Sequence, residues 1–145
     1  MSRTLKHLYN SVFISVLMVI GSATLASEPL LKATTSWDGA AISYPAGAAE
    51  ITSILLSLPA GKAAPWHCHP VPTFGFVKKG RIEVETRSGD KTVLLEGESA
   101  VEVMKSLHRG TAIDGPAEII VFYAGAVGIP TTVMADDPLA EKYCR

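Results

Sequence analysis

The sequence predicts an all-β domain, an antiparallel sandwich or barrel. Three observations carry that prediction. Runs of Val, Ile, Leu, Phe and Thr recur as short segments every 8 to 12 residues after Glu50. Gly, Pro, Ser and Asp punctuate them, and no long segment of helical period follows residue 26. The composition suits a packed core: of 145 residues, 48% are hydrophobic and 19% charged.

The elements follow in order. Ile51–Leu58 is rich in strand formers and stops at Pro59-Ala60-Gly61. Thr73–Val77 ends at Lys78-Lys79-Gly80. Arg81–Arg87 alternates strictly, with Ile82, Val84 and Thr86 on one face and charges on the other, the pattern of a half-buried strand. Ser88-Gly89-Asp90 turns the chain into Lys91–Leu95, and Glu96-Gly97-Glu98 turns it into Ser99–Val103. Leu107–Ala112 and Glu118–Ala124 complete the strands. The last residues, from Asp136 on, read as a polar tail with one short helical turn at most.

Residues 1–26 are set apart from the fold. Arg3, Lys6 and His7 give a positive start, Val12–Ile20 is an apolar run, and Thr24 and Ala26 are small residues placed for a cut before Ser27. This is the three-part pattern of a secretory signal peptide, and the run is short for a membrane span. The expected organisation is therefore a signal peptide at 1–26, an N-terminal segment at 27–49, the β domain at 50–125 and a tail at 126–145. The expected location is periplasmic or secreted, with no stable membrane anchor after cleavage. The chain carries 13 Lys+Arg against 14 Asp+Glu, and cleavage removes only basic residues. With no basic block, a nucleic-acid partner is not expected.

Cleavage also removes one of four histidines and leaves His67, His69 and His108. His67 and His69 are two apart on an expected strand, so both rings point to one face while Trp66 and Cys68 point to the other. Two imidazoles on one face, joined by a third from a distant strand, can hold one divalent metal ion; imidazole suits Zn, Cu, Fe and Ni alike.

Gly61-Lys-Ala-Ala-Pro-Trp-His67-Cys-His69, followed by Gly80, resembles the first motif of the cupin family, G-x5-H-x-H-x3–4-E-x6-G. Gly97 followed by His108 resembles the second, G-x5-P-x-G-x2-H-x3-N. The resemblance implies a single-domain cupin jelly-roll β-barrel with a metal held by His67, His69 and His108. The chain departs from the motifs at several positions. The motif Glu falls at Thr73, or at Phe74 with the longer spacing; the motif Pro, Gly and Asn are Val103, Lys105 and Ala112. Loss of the Gly suggests a differently shaped turn before His108.

Three neutral imidazoles leave a divalent ion with its full charge, which favours anionic or chelating small-molecule ligands. If Thr73 faces inward, so does Gly75, and two small residues there imply a roomy pocket; Gly75 marking only a bulge or close packing is the alternative. Glu102 is the one acid in Ala100-Val-Glu-Val-Met104. It is either a displaced ligand or general base, or a solvent-facing position, and strand periodicity favours the latter. Tyr123 can bring a hydroxyl to the pocket, although core packing is the ordinary role of such a residue. Phe74 and Phe76 face outward and are candidate contacts in a homodimer.

Two function classes follow. One is an enzyme of the oxygenase type, with substrate and O₂ on adjacent open metal positions. The other is a non-catalytic module that binds or senses a small ligand through the same metal. A carboxylate beside the metal would favour acid–base chemistry; an all-apolar lining with three His would favour oxygenase or binding. Export also raises a Cys68–Cys144 disulfide, which would pin the tail and contribute on the order of 4 kcal/mol. The alternative is a buried Cys68 and a loose terminal thiol.

Overall fold

The computed structural model describes residues 27–145, and the expected signal peptide lies outside the described residues. Nine strands and one helical turn follow in order. They are β1 (Ala49–Leu58), β2 (His67–Cys68), β3 (Thr73–Lys79), β4 (Arg81–Thr86), β5 (Lys91–Leu95), β6 (Ser99–Val101), β7 (His108–Ala112), β8 (Ala117–Ala126), β9 (Val133–Met134) and α1 (Ala140–Tyr143). Among the described residues no helix is long and apolar enough to cross a membrane.

The strands form two sheets, one ordered β1-β8-β3-β6 and the other β5-β4-β7-β2-β9. Every named pair is antiparallel. The expected closed barrel is corrected to two facing sheets. The strands at the junction are too short to carry a ladder around, since β2 has two residues and β6 three. One single-residue parallel bridge, His69 to Met104, joins the sheets at a corner.

Period-two alternation decides what enters the space between the sheets. On β4, Ile82, Val84 and Thr86 are buried, while Arg81, Glu83 and Glu85 point out. Ala117, Ile119, Val121 and Tyr123 of β8 are buried opposite them and join Leu58, Val71, Val77 and Ala112 in one core. On the outer face of the four-stranded sheet, Phe74 stacks on its cross-strand partner Phe122 with centroids 5.3 Å apart. The N-terminal segment is tied along the edge of that sheet by the Trp37 N–H to Val101 carbonyl bond.

Gly80 links β3 to β4 with a backbone that only glycine accepts there. Its φ is +83°, and a Cβ would lie 2.4 Å from the Pro116 carbonyl oxygen.

The tail is more ordered than its sequence suggests. β9 pairs with β2, placing Val133 opposite Cys68 and Met134 opposite His67. Cys68 and Cys144 form a disulfide with a Cα–Cα distance of 5.7 Å. The Arg145 N–H then donates to the Lys105 carbonyl. A strand of two residues has no periodicity to read, so this pairing is visible only in the fold.

Candidate metal centre

The centre lies between the sheets, at the end where β2 and β7 pair. His67 is the register partner of His108 in that pairing. His69 follows one residue beyond β2, so alternation returns its ring to the same side as His67. The three rings converge, with centroids 4.8 Å (His67–His69), 4.6 Å (His67–His108) and 4.9 Å (His69–His108) apart.

Each ring is oriented from behind by a backbone carbonyl. His67 Nδ1 lies 2.7 Å from Pro65 O, His69 Nδ1 2.9 Å from Thr131 O, and His108 Nδ1 2.8 Å from Ser106 O. A carbonyl can only accept, so each Nδ1 carries the hydrogen and donates it. Each Nε2 is thereby turned inward as the metal-binding nitrogen.

Glu102 completes the set, against the solvent-facing position that periodicity favours. Its N–H donates to the Thr73 carbonyl, which makes it the cross-strand neighbour of the residue at the motif Glu position. The carboxylate is therefore carried by the extension of β6 and not by β3. Glu102 Oε2 lies 3.1 Å from His69 Nε2 and 2.9 Å from His108 Nε2. A lone acid in an apolar run carries no label of direction, because either parity of the strand is self-consistent.

Thr73 and Gly75 face inward but do not border the cavity, and the expected roomy pocket is corrected. Thr73 is fully buried and its hydroxyl donates to Val71 O. A Cβ at position 75 would lie 3.6 Å from Glu102 Oε1 and 3.4 Å from Ile119 Cγ2. Both are ordinary contact distances, so Gly75 lies packed against Glu102 and Ile119 and opens no space for a ligand. The cavity is about 60 Å³, walled by Leu56, Ile82, Val84, Ile119 and Val121 beside the four donor residues. Tyr123 lines it, edge-on to His69 with centroids 5.5 Å apart.

Electrostatics separate the donors. Burial, reinforced by the neighbouring His69 and His108, pushes His67 down to about 4, so its Nε2 lone pair is free at neutral pH. Burial also lowers His108, but its hydrogen bond to Glu102 and the nearby carboxylate charge outweigh that and raise it overall. Burial raises Glu102, but the adjacent imidazoles, His69 foremost, hold it well below the usual carboxylate range. Tyr123 is raised by burial, which outweighs its hydrogen bond to Thr132, so it stays a protonated phenol.

The donor set fits a divalent ion. The four donor atoms lie within 4.8 Å of one another. Glu102 lies at hydrogen-bond distance from the His69 and His108 Nε2 atoms, so its carboxylate faces the same point as the rings.

The turn before His108 keeps a glycine-like shape despite the motif's missing Gly. Lys105 takes that position with φ +62°. Its N–H donates to the His69 carbonyl, which holds it there.

No curated protein sequence matches the chain. Among solved structures it is similar to the DMSP lyase DddQ of Ruegeria pomeroyi, at 20% identity and TM-score 0.53, over 61% of this chain and 44% of that one. It is similar to an oxalate decarboxylase of Lactobacillus farciminis, at 16% identity and TM-score 0.51, over 59% of this chain and 26% of that one. A cupin-like protein of Thermotoga maritima matches at 14% identity and TM-score 0.51, over 66% of this chain and 74% of that one. The chain thus spans less than half the length of the lyase, and likeness at these identities is one of fold. A family model described as the cupin domain matches residues 54–123, a span holding His67, His69, Glu102 and His108. The chain belongs to the cupin superfamily.

Proposed function

We propose that the protein is an exported, metal-dependent enzyme acting on a small anionic substrate. The observation that carries this is Glu102 Oε2 at 2.9 and 3.1 Å from two imidazole nitrogens already turned inward by their carbonyl partners. His67, His69, His108 and Glu102 would hold one divalent ion, which would supply a Lewis acid beside the cavity. The carboxylate lowers the charge of the centre to about +1, so one anionic group neutralises it. The cavity beside the donors is small, about 60 Å³, and its walls are mostly apolar. A centre of that charge suits a carboxylate or similar oxyanion. Tyr123, kept protonated by burial, serves as hydrogen-bond donor and not as base. A carboxylate in the centre and a small cavity both favour proton-transfer or bond-cleaving chemistry over oxygenation of a bulky substrate. The Cys68–Cys144 bond supports the exported location, because disulfides persist in oxidising compartments.

The second reading is a non-catalytic module that binds or senses the same small anion. It is favoured by the lining, which apart from the four donors and Tyr123 is apolar and offers no free general base. Metal analysis of protein purified from its native compartment, followed by turnover assays on small carboxylates, separates the readings. The enzyme reading expects about one ion per chain and product formation. Binding without turnover selects the module. A redox metal with substrate-dependent O₂ uptake returns the site to the oxygenase class, and a chain that takes up no metal sinks all three.

A further inference from the structure

The C-terminal segment touches the strand that carries two of the donors, His67 and His69, and the turn that precedes a third, His108. The Thr131 carbonyl accepts from His69 Nδ1 at 2.9 Å, and the Thr132 hydroxyl lies 3.3 Å from the same nitrogen. Val133 and Met134 pair with Cys68 and His67, and the Ala135 N–H donates to the Trp66 carbonyl. The Arg145 N–H donates to the Lys105 carbonyl, while the Lys105 N–H donates to the His69 carbonyl. Ser106, which orients His108, is the next residue. The segment is therefore a strap across the back of the centre. Apart from the buried Val133 side chain, its non-covalent hold on the fold is short: β9 is two residues long, and α1 is four residues with none buried.

One covalent bond closes the strap. Cys144 joins Cys68, which is completely buried and sits between His67 and His69 in the chain. Alternation sends its side chain away from the imidazoles and toward the strap. The bond thus ties the tail to the strand that carries two of the donors.

The geometry points to a positioning role: the Cys68–Cys144 bond holds the strap that sets the His69 and His108 rings, so the oxidised chain binds its metal more tightly than the reduced chain. This rests on the metal reading above. Groups behind a ligand that fix its ring orientation typically change metal affinity by about 10- to 100-fold. The dithiol and disulfide forms differ by two electrons and two protons, taken up or released by the thiol–disulfide couple of the surrounding compartment. The consequence is that tight metal loading follows arrival in an oxidising environment.

The test uses Co²⁺ alone as the probe. Its dissociation constant is measured by chelator competition, and its visible absorption bands report the ligand geometry. Three samples are compared: the disulfide-bonded protein, the same protein reduced and desalted without oxygen, and the Cys68→Ala/Cys144→Ala variant. The expected result is native far-ultraviolet circular dichroism in all three, with affinity about 10- to 100-fold weaker and altered Co²⁺ bands in the two lacking the bond. Equal affinity and equal bands in folded samples overturn the proposal and leave the metal site standing. Loss of fold in both unbonded samples also overturns it, assigning the bond to the fold. Failure of the disulfide-bonded protein itself to bind Co²⁺ overturns the metal reading, and this proposal with it.

Discussion

At the scale of single residues, Glu102 and Lys105 bear most of the difference between this chain and the motifs it resembles. Glu102 supplies from the β6 extension the carboxylate that the motif position on β3 lacks. Glu102→Gln keeps size and hydrogen bonding but removes the charge. It is expected to weaken binding of a divalent ion by more than about 100-fold, beyond the effect of groups behind a ligand. A titration giving wild-type affinity would place Glu102 outside the centre. His67→Ala and His108→Ala are expected to abolish stoichiometric metal while circular dichroism stays native, since neither belongs to the main apolar core. Lys105 holds φ +62°, which costs a side-chain-bearing residue about 1 kcal/mol. Lys105→Gly removes that strain, partly offset by the freer unfolded chain, and is expected to stabilise the protein by about 0.5 kcal/mol in chemical denaturation. A destabilisation of 1 kcal/mol or more would show that the lysine side chain contributes what the backbone strain costs.

At the scale of elements, β3, β4, β5 and β7 were legible because turn residues stand at their ends and β4 alternates without exception. What joins to what was not. β1 pairs with β8 across more than half the domain, and the separation into two sheets depends on how short β2 and β6 are. The three histidines could be grouped because alternation sets His67 and His69 on one face, the expected mature chain holds one further histidine, and all three fall on the positions of the cupin motifs. The direction of Glu102 and the strap could not, since one depends on strand parity and the other on pairs of single residues. Gly80 shows how an element boundary becomes a constraint. Gly80→Ala sets a methyl carbon 2.4 Å from the Pro116 carbonyl oxygen, a backbone atom that cannot swing aside, at a φ of +83°. The expected cost is more than about 2 kcal/mol, read as a lower denaturation midpoint with unchanged slope. A neutral result would mean that the segment around Pro116 moves freely, contrary to its place beside β8.

At the scale of the whole molecule, the metal couples the site to stability. An ion that binds the folded chain and not the unfolded one adds about 2.7 kcal/mol when free ion stands at 100 times its dissociation constant. For a domain of this size that raises Tm on the order of 10 °C, and a chelator removes the gain. Protons oppose it in a definite direction. His67, lowered to about 4, offers a free lone pair across the neutral range, and Glu102 stays ionised there. His108 is raised, so it keeps a proton up to a higher pH than an ordinary imidazole, and a metal must displace that proton. Affinity therefore falls as pH falls through the raised His108 value, and the metal-dependent part of Tm shrinks with it. The metal-free chain has its own pH dependence. Lowered His67 makes the unfolded state bind more protons between about 6.5 and 4, so stability drops with pH in that window. Raised His108 does the reverse: its stabilisation is complete below about 6.5 and is lost as pH rises through its folded value. The informative quantity is thus the difference in Tm with and without metal at each pH. That difference is expected to be largest near pH 8 and to fall steadily toward pH 5. A difference that is flat across this range would mean that no proton leaves His108 when the metal enters. A chelator without effect at pH 8 would mean that the four donors do not act as a metal centre.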